Sequence, residues 1–175
     1  MILFKDIYPC MDIPTQNLIA LLHPKLRIEA ENLINQANAA LQTFDQVRIV
    51  QTLRTFAQQN ALYAQGRQIP GHVVTNAKGG QSLHNYGLAF DFCLLTKEGI
   101  SWDIHADFDK DGVADWAEVV NIFKSNGWVW GGQFKSIPDN PHLQKTFGHT
   151  WSDLLVKYNA GETFIDKNGQ KYVIL

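Results

Sequence analysis

The chain has 175 residues, 45% of them hydrophobic and 18% charged, with a formal net charge of -2. That length suits one ordinary domain with a single core, and the composition excludes a disordered chain. The charge balance, with no run of Lys and Arg interleaved with aromatics, excludes a partner held mainly by phosphate neutralisation, so no nucleic acid is expected.

The first fourteen residues carry Lys5 and Asp6 early and no apolar stretch long enough for a signal peptide or a membrane span. The expectation is a protein made in the cytoplasm, without a membrane partner, that something else must release if it acts outside. Pro24, at a first helical position, opens a segment with Leu26, Ala30, Leu33, Ile34, Ala37 and Leu41 at helical spacing. Val47-Arg48-Ile49-Val50 reads as a short strand and residues 55–65 as a second helix. Gly66, Pro70 and Gly71 break the chain, after which Val73-Val74-Thr75 reads as a strand. Gly79-Gly80 turn the chain ahead of residues 88–95, the best central-strand candidate. Residues 116–125 read as a helix, 128–130 as a short strand and Gly131-Gly132 as a turn. Pro138 and Pro141 stiffen the loop before His142-Leu143-Gln144. Thr150 caps a helix at 151–158, and residues 163–175 read as a hairpin turning at Asp166-Lys167-Asn168-Gly169. No linker, repeat or low-complexity segment divides the chain. The pattern predicts a single α+β domain, expected to be a monomer.

Cys10 and Cys93 lie far apart and neither belongs to a CxxC pair, which excludes a zinc-thiolate site and argues against a disulfide scaffold. Cys93, inside an apolar run, reads as a buried inert thiol. Asp91 sits in the same run, where an ionised carboxylate is costly unless a cation, a metal or several donors meet it. His84 lies just before that run, behind a Gly-containing turn. Two readings of Asp91 stay open on spacing alone: a metal-facing carboxylate, or a core Asp capping a backbone turn. His142 likewise reads as a ligand or as a surface His on a proline-stiffened loop, with Asp139 three residues upstream. Two His and one Asp make a zinc set with an open position, and a further carboxylate supplies a general base. His23, His72, His105 and His149 stand in polar contexts and read as surface groups.

The stretch Ser82-Leu83-His84-Asn85-Tyr86-Gly87-Leu88-Ala89-Phe90-Asp91 resembles the SxHxxGxAxD signature of the VanY-like zinc peptidases. That family comprises D-alanyl-D-alanine carboxypeptidases, related dipeptidases and phage L-alanyl-D-glutamate endolysins. Trp130-Gly131-Gly132-Gln133-Phe134 followed by Asp139-Asn140-Pro141-His142 is similar to the endolysin branch, as are Leu53-Arg54-Thr55 and Leu62-Tyr63-Ala64-Gln65-Gly66-Arg67. The resemblance spans roughly residues 48–155. It implies a hedgehog/D-Ala-D-Ala-peptidase-like domain, with a small antiparallel sheet and flanking helices. It implies zinc held by His84, Asp91 and His142, with Asp139 as general base where the carboxypeptidase branches have Glu. Arg54 matches an arginine that stabilises the developing oxyanion, its alternative being a surface ion pair. Ser82 stands as a substrate or supporting contact, or as a cap of its turn. Phe134 and Leu143 depart from the Trp and Phe common among relatives, which bears on substrate fit more than on metal.

The implied function is hydrolysis of peptidoglycan stem peptides between L-Ala and D-Glu, in a phage or prophage lysis setting. A D-alanyl-D-alanine carboxypeptidase or dipeptidase is the alternative within enzymes; a non-catalytic, calcium-dependent wall-binding module is the alternative outside them. Calcium enters because residues 107–118 carry Asp107, Asp109, Asp111, Gly112, Asp115 and Glu118 at positions 1, 3, 5, 6, 9 and 12 of an EF-hand loop, with Val113 at the carbonyl position 7. A solvated acidic turn capping the next helix is the other reading. Ala114 replaces the usual bulky aliphatic, no second hand is present, and the segment before Asp107 is too broken for a good entering helix.

Overall fold

Apart from Asp91, residues 88–95 are apolar without alternation because the strand they form is covered on both faces. In the computed structural model, which describes residues 11–42 and 45–175, this strand is β2, Ala89–Thr96. Cys10 lies outside the described residues, as does most of the N-terminal segment. Helices α1 (Ile13–Ile19), α2 (Pro24–Ala40) and α3 (Phe56–Ala64) flank strand β1 (Gln46–Gln51). After β2 come β3 (Gly99–Ser101), α4 (Asp115–Ser125), β4 (Val129–Trp130), β5 (His142–Gln144), α5 (Trp151–Asn159) and the hairpin β6 (Thr163–Ile165) and β7 (Lys171–Val173).

The main sheet is antiparallel in the order β1-β2-β5-β4, with β3 also on β2. On the core face of β2, Phe92 stacks on Trp116 of α4 at 4.4 Å, and Phe90, Phe123 and Trp128 meet edge to face at 5.2–5.3 Å. Such pairs add about 0.5–1.5 kcal/mol each beyond their burial. The other face carries Asp91, and the register sets Asp91 directly opposite His142 and Ala89 opposite Gln144. Side chains two apart on a strand share a face, so His142 and Gln144 point the same way. Leu143 points into the core and is fully buried. Its departure from the Phe of relatives therefore concerns packing and does not reach the substrate side, contrary to the sequence expectation.

Three local differences from expectation have physical causes. Val73-Val74-Thr75 takes no strand partner among the described residues. The Arg67 guanidinium holds this segment, donating to the Tyr63 and Thr75 carbonyls at 2.8 and 2.9 Å and to Asn76 Oδ1 at 2.9 Å. His23, expected at the surface, is buried. Its Nδ1 caps α2 by accepting from the Lys25 N–H, and its Nε2 lies 3.1 Å from the Val173 carbonyl. The short helix α1 was not anticipated, although Asp12 caps it by accepting from the Thr15 N–H at 2.9 Å. Cys93 is buried and its thiol is pushed up to about 11 by burial, consistent with an inert group. Among the described residues no helix is long and apolar enough to cross a membrane.

Candidate metal centre and active-site cleft

The turn ahead of β2 is a single 3-10 turn, Leu83–Tyr86, which ends on Gly87 at φ 68°. A Cβ there would stand 2.8 Å from the His23 backbone nitrogen, so the glycine of the signature is required by both dihedral and space. Asn85 holds the turn. Its Oδ1 accepts from the Gly80 N–H at 2.9 Å and its Nδ2 donates to the Arg54 carbonyl at 2.9 Å, while the Arg54 N–H donates to the His84 carbonyl at 3.0 Å. His84 and Arg54 are thereby fixed to one another through the backbone. On the other side, β1 is bulged between Ile49 and Gln51, which turns the end of the strand toward the site.

His84 Nε2, Asp91 Oδ1 and His142 Nδ1 converge. The two nitrogens lie 3.1 Å apart, and Asp91 Oδ1 lies 3.3 Å from His84 and 3.2 Å from His142. His84 Nδ1 lies 2.8 Å from the Thr52 carbonyl, and His142 Nε2 lies 2.9 Å from Gln144 Oε1. A carbonyl only accepts, so in these contacts each outer nitrogen donates, and a ring that is neutral then turns a lone pair inward. Three acceptors packed this closely repel unless a cation joins them. The spacing comes close to that of zinc, because donors about 2.0–2.2 Å from a tetrahedral ion lie roughly 3.3–3.6 Å from one another. These residues fit the metal.

The charges agree. Burial alone would push the Asp91 carboxyl up, but in the metal-free site His84 and His142, once protonated, face it with charge and N–H and hold it well below the usual carboxylate range. Burial pulls the His142 imidazole down, yet the contact and charge of Asp91, the Gln144 contact and the charge of Asp139 together favour its protonated form and leave it raised. Arg54 lies with Nη2 3.7 Å from Asp91 Oδ2, its side chain 14% exposed, so it is no surface ion pair. Burial lowers its pKa, against the opposing charges of Asp91 and Asp139. The Asp139 carboxyl is raised by burial and by the neighbouring Asp91 charge.

The Trp-Gly-Gly turn explains how Asp139 is placed. Gly131 opens a 3-10 turn, Gly131–Gln133, and its carbonyl accepts from the Asp139 N–H at 2.9 Å. A Cβ on Gly131 would come within 2.6 Å of the Asp139 carbonyl and 2.8 Å of His142 Cβ; one on Gly132 would strike the Trp130 indole at 2.3 Å. Trp130 Nε1 in turn donates to the Asn140 carbonyl at 2.7 Å, tying down the loop that carries Asp139 and His142. A cleft of about 660 Å³ unites His84, Asp91, His142, Asp139, Arg54 and Ser82. Phe134 also lines it, its ring 5.6 Å from that of His142, so this departure does reach the site. His149, expected as a surface group, also contributes to the wall of the cleft.

Sequence reading missed Gln59 and Gln144. Gln59 is fully buried on α3, accepts from Arg54 Nη1 at 2.9 Å and donates to the Ala77 carbonyl at 2.9 Å. A lone buried Gln on a helix gives no local signal. Gln144 had one, its position two residues beyond His142 on the same strand face. A second acidic cluster lies apart from the cleft: Asp107, Asp109 and Asp115 converge, as do Asp109, Asp111 and Glu118.

Residues 75–145 match the family described as D-alanyl-D-alanine carboxypeptidase. Over 124 residues the chain is 47% identical to the peptidoglycan L-alanyl-D-glutamate endopeptidase CwlK of Bacillus subtilis, covering 70% of this chain and 72% of that protein. The chain belongs to the VanY-like zinc peptidase family. This peptidase is also 31% identical over 99 residues to the L-alanyl-D-glutamate peptidase of a Listeria phage, a match covering 57% of this chain and 30% of the phage protein. Its fold is that of the L-Ala D-Glu endopeptidase ChiX of Serratia marcescens, with a TM-score of 0.53 at 22% identity, covering 83% of this chain and 96% of that one. The D,D-dipeptidase VanXYg, of vancomycin resistance, aligns with a TM-score of 0.50 at 18% identity, over 93% of this chain and 70% of its own.

Proposed function

We propose that this peptidase hydrolyses peptidoglycan stem peptides at the L-alanyl-D-glutamate bond, with zinc held by His84, Asp91 and His142. The observation that carries the reading is the convergence of three inward-facing donors in the same cleft as Asp139 and Arg54. Zinc held by these three residues would supply Lewis acidity for the attacking water and the scissile carbonyl. Asp139 takes the proton as the water oxygen bonds to the carbonyl carbon, and returns it to the amine nitrogen as the C–N bond breaks. Its raised pKa suits a group that must both hold and release a proton. Arg54, buttressed by Gln59, faces the charge that develops on the carbonyl oxygen. Ser82 lines the same wall and is assigned to substrate contact. A lysis setting, with the enzyme made in the cytoplasm and acting on the wall after release as a monomer, belongs to the same reading.

Mass spectrometry of muropeptides from digested wall tests the bond. The expected products are a new N-terminal D-Glu, or its amidated form, and L-Ala left on the lactyl group of the glycan. Release of terminal D-Ala alone would instead establish the carboxypeptidase reading.

The proposal extends to a calcium ion on loop 107–118. Asp115 is fully buried and its Oδ2 has no hydrogen-bond partner; Asp109 Oδ2 and Glu118 Oε2 are buried and unpartnered as well. Unpaired buried carboxylate oxygens are costly, and a divalent cation satisfies them together. Burial and the surrounding acidic charges push Asp115 up to about 6 and Glu118 up to about 7. Both folded values lie above the unfolded ones, so the calcium-free fold binds more protons than the unfolded chain. Its stability should therefore fall as pH rises from about 4 to 7, a slope that saturating Ca²⁺ removes. Thermal melts across that window, with and without millimolar Ca²⁺, test this; identical melting curves for wild type and Asp115→Ala would leave the loop an acidic turn. A lone loop should bind at about 10⁻⁵–10⁻³ M.

A further inference from the structure

We propose that Gln144 is a positioning residue for His142, fixing the imidazole tautomer that turns Nδ1 toward the metal; this rests on the reading of His142 as a zinc ligand. The two inner nitrogens of the site are not chemically equivalent. His84 faces inward with Nε2, and its outer Nδ1 donates to a backbone carbonyl, that of Thr52, at 2.8 Å. His142 faces inward with Nδ1, and its outer Nε2 meets the side-chain oxygen of Gln144 at 2.9 Å. Metal-binding histidines are oriented by the acceptor at their other nitrogen. One of the two orienting acceptors here is main chain and survives any substitution. The other is a side chain.

The sheet explains why residue 144 can do this. His142 and Gln144 share a face of β5, and Gln144 stands opposite Ala89 of β2. Alanine there leaves the face open beside Gln144, so its amide can lie back along the strand toward the ring. Without the Oε1 acceptor, the His142 proton is free to move to Nδ1, where Asp91 Oδ1 at 3.2 Å accepts it. That tautomer closes the ligand position. The ring would still sit in the same place, so a static picture of the variant would look intact while the donor was lost.

Gln144 also lines the cleft. A substrate contact is therefore the competing role, and the test separates the two. Metal-free wild type, Gln144→Leu and Gln144→Glu are compared by ¹⁵N–¹H correlation of the His142 ring and by zinc competition against a chelator. The expected result is the Nε2–H tautomer in wild type, a shift toward Nδ1–H in Gln144→Leu, and zinc affinity weakened by about 10–100-fold in that variant. Gln144→Glu, which keeps an acceptor, should restore both tautomer and affinity. Unchanged tautomer and zinc affinity in Gln144→Leu overturn the proposal, and a rise in KM alone identifies a substrate contact instead. Failure of the wild type to bind zinc overturns the metal reading itself, a result distinct from a zinc-binding protein indifferent to residue 144.

Discussion

Replacing Asp139 by Asn should reduce turnover of a defined muropeptide by about 10²–10⁴-fold, the usual contribution of a positioned acid–base group. The substitution is nearly isosteric, and the contacts that fix the loop are main chain: the Asp139 N–H to the Gly131 carbonyl and the His142 N–H to the Asp139 carbonyl. Zinc content, measured by elemental analysis, should therefore stay at one per chain, since Asp139 is not among the three converging donors. An amide cannot accept the proton of the attacking water, so the loss should fall on kcat, with KM little changed. Asp139→Glu keeps the chemistry but adds a methylene on a loop packed tightly against Gly131, and it should recover part of the rate. Near-normal turnover of Asp139→Asn removes Asp139 from the mechanism.

The three converging residues were legible only as alternatives until their motifs were read together. Each spacing allowed a bland reading, because Asp91 could cap a turn and His142 could sit on a surface loop. The register that sets Asp91 opposite His142 is what joins them, and it depends on the pairing of β2 with β5, 51 residues apart in the chain. The elements themselves were more readable. The helix at Pro24 and the central strand follow from apolar periodicity and from an apolar run interrupted only by Asp91. What stayed hidden were the groups that work through tertiary paths. The Thr52 carbonyl reaches His84 from just beyond the bulged end of β1. Gln59 reaches Arg54 from a helix whose other residues are all more exposed. His23 was misread as a surface group, although it follows Leu21-Leu22 and a residue just before a proline that opens a helix is a natural cap. Val73-Val74-Thr75 has strand composition without a strand partner, and composition alone cannot supply one.

Substituting both His84 and His142 by Ala should abolish zinc binding and bring hydrolysis to the background rate. Removing both rings takes away two of the three converging donors. The remaining Asp91 is a mostly buried carboxylate with Arg54 at 3.7 Å as its charged neighbour, too little to retain a divalent ion. A melting experiment separates lost metal from lost fold. In wild type, a ligand at a thousand times its Kd stabilises by about 4 kcal/mol. For a domain of this size that corresponds to a fall in Tm of roughly 8–16 °C on chelation, at about 2–4 °C per kcal/mol. The double variant should melt cooperatively at the same temperature with and without zinc. Stoichiometric zinc in that variant, or a zinc-dependent rise in its Tm, would sink the assignment of the site, because no other converging set of His and Asp joins this cleft among the described residues.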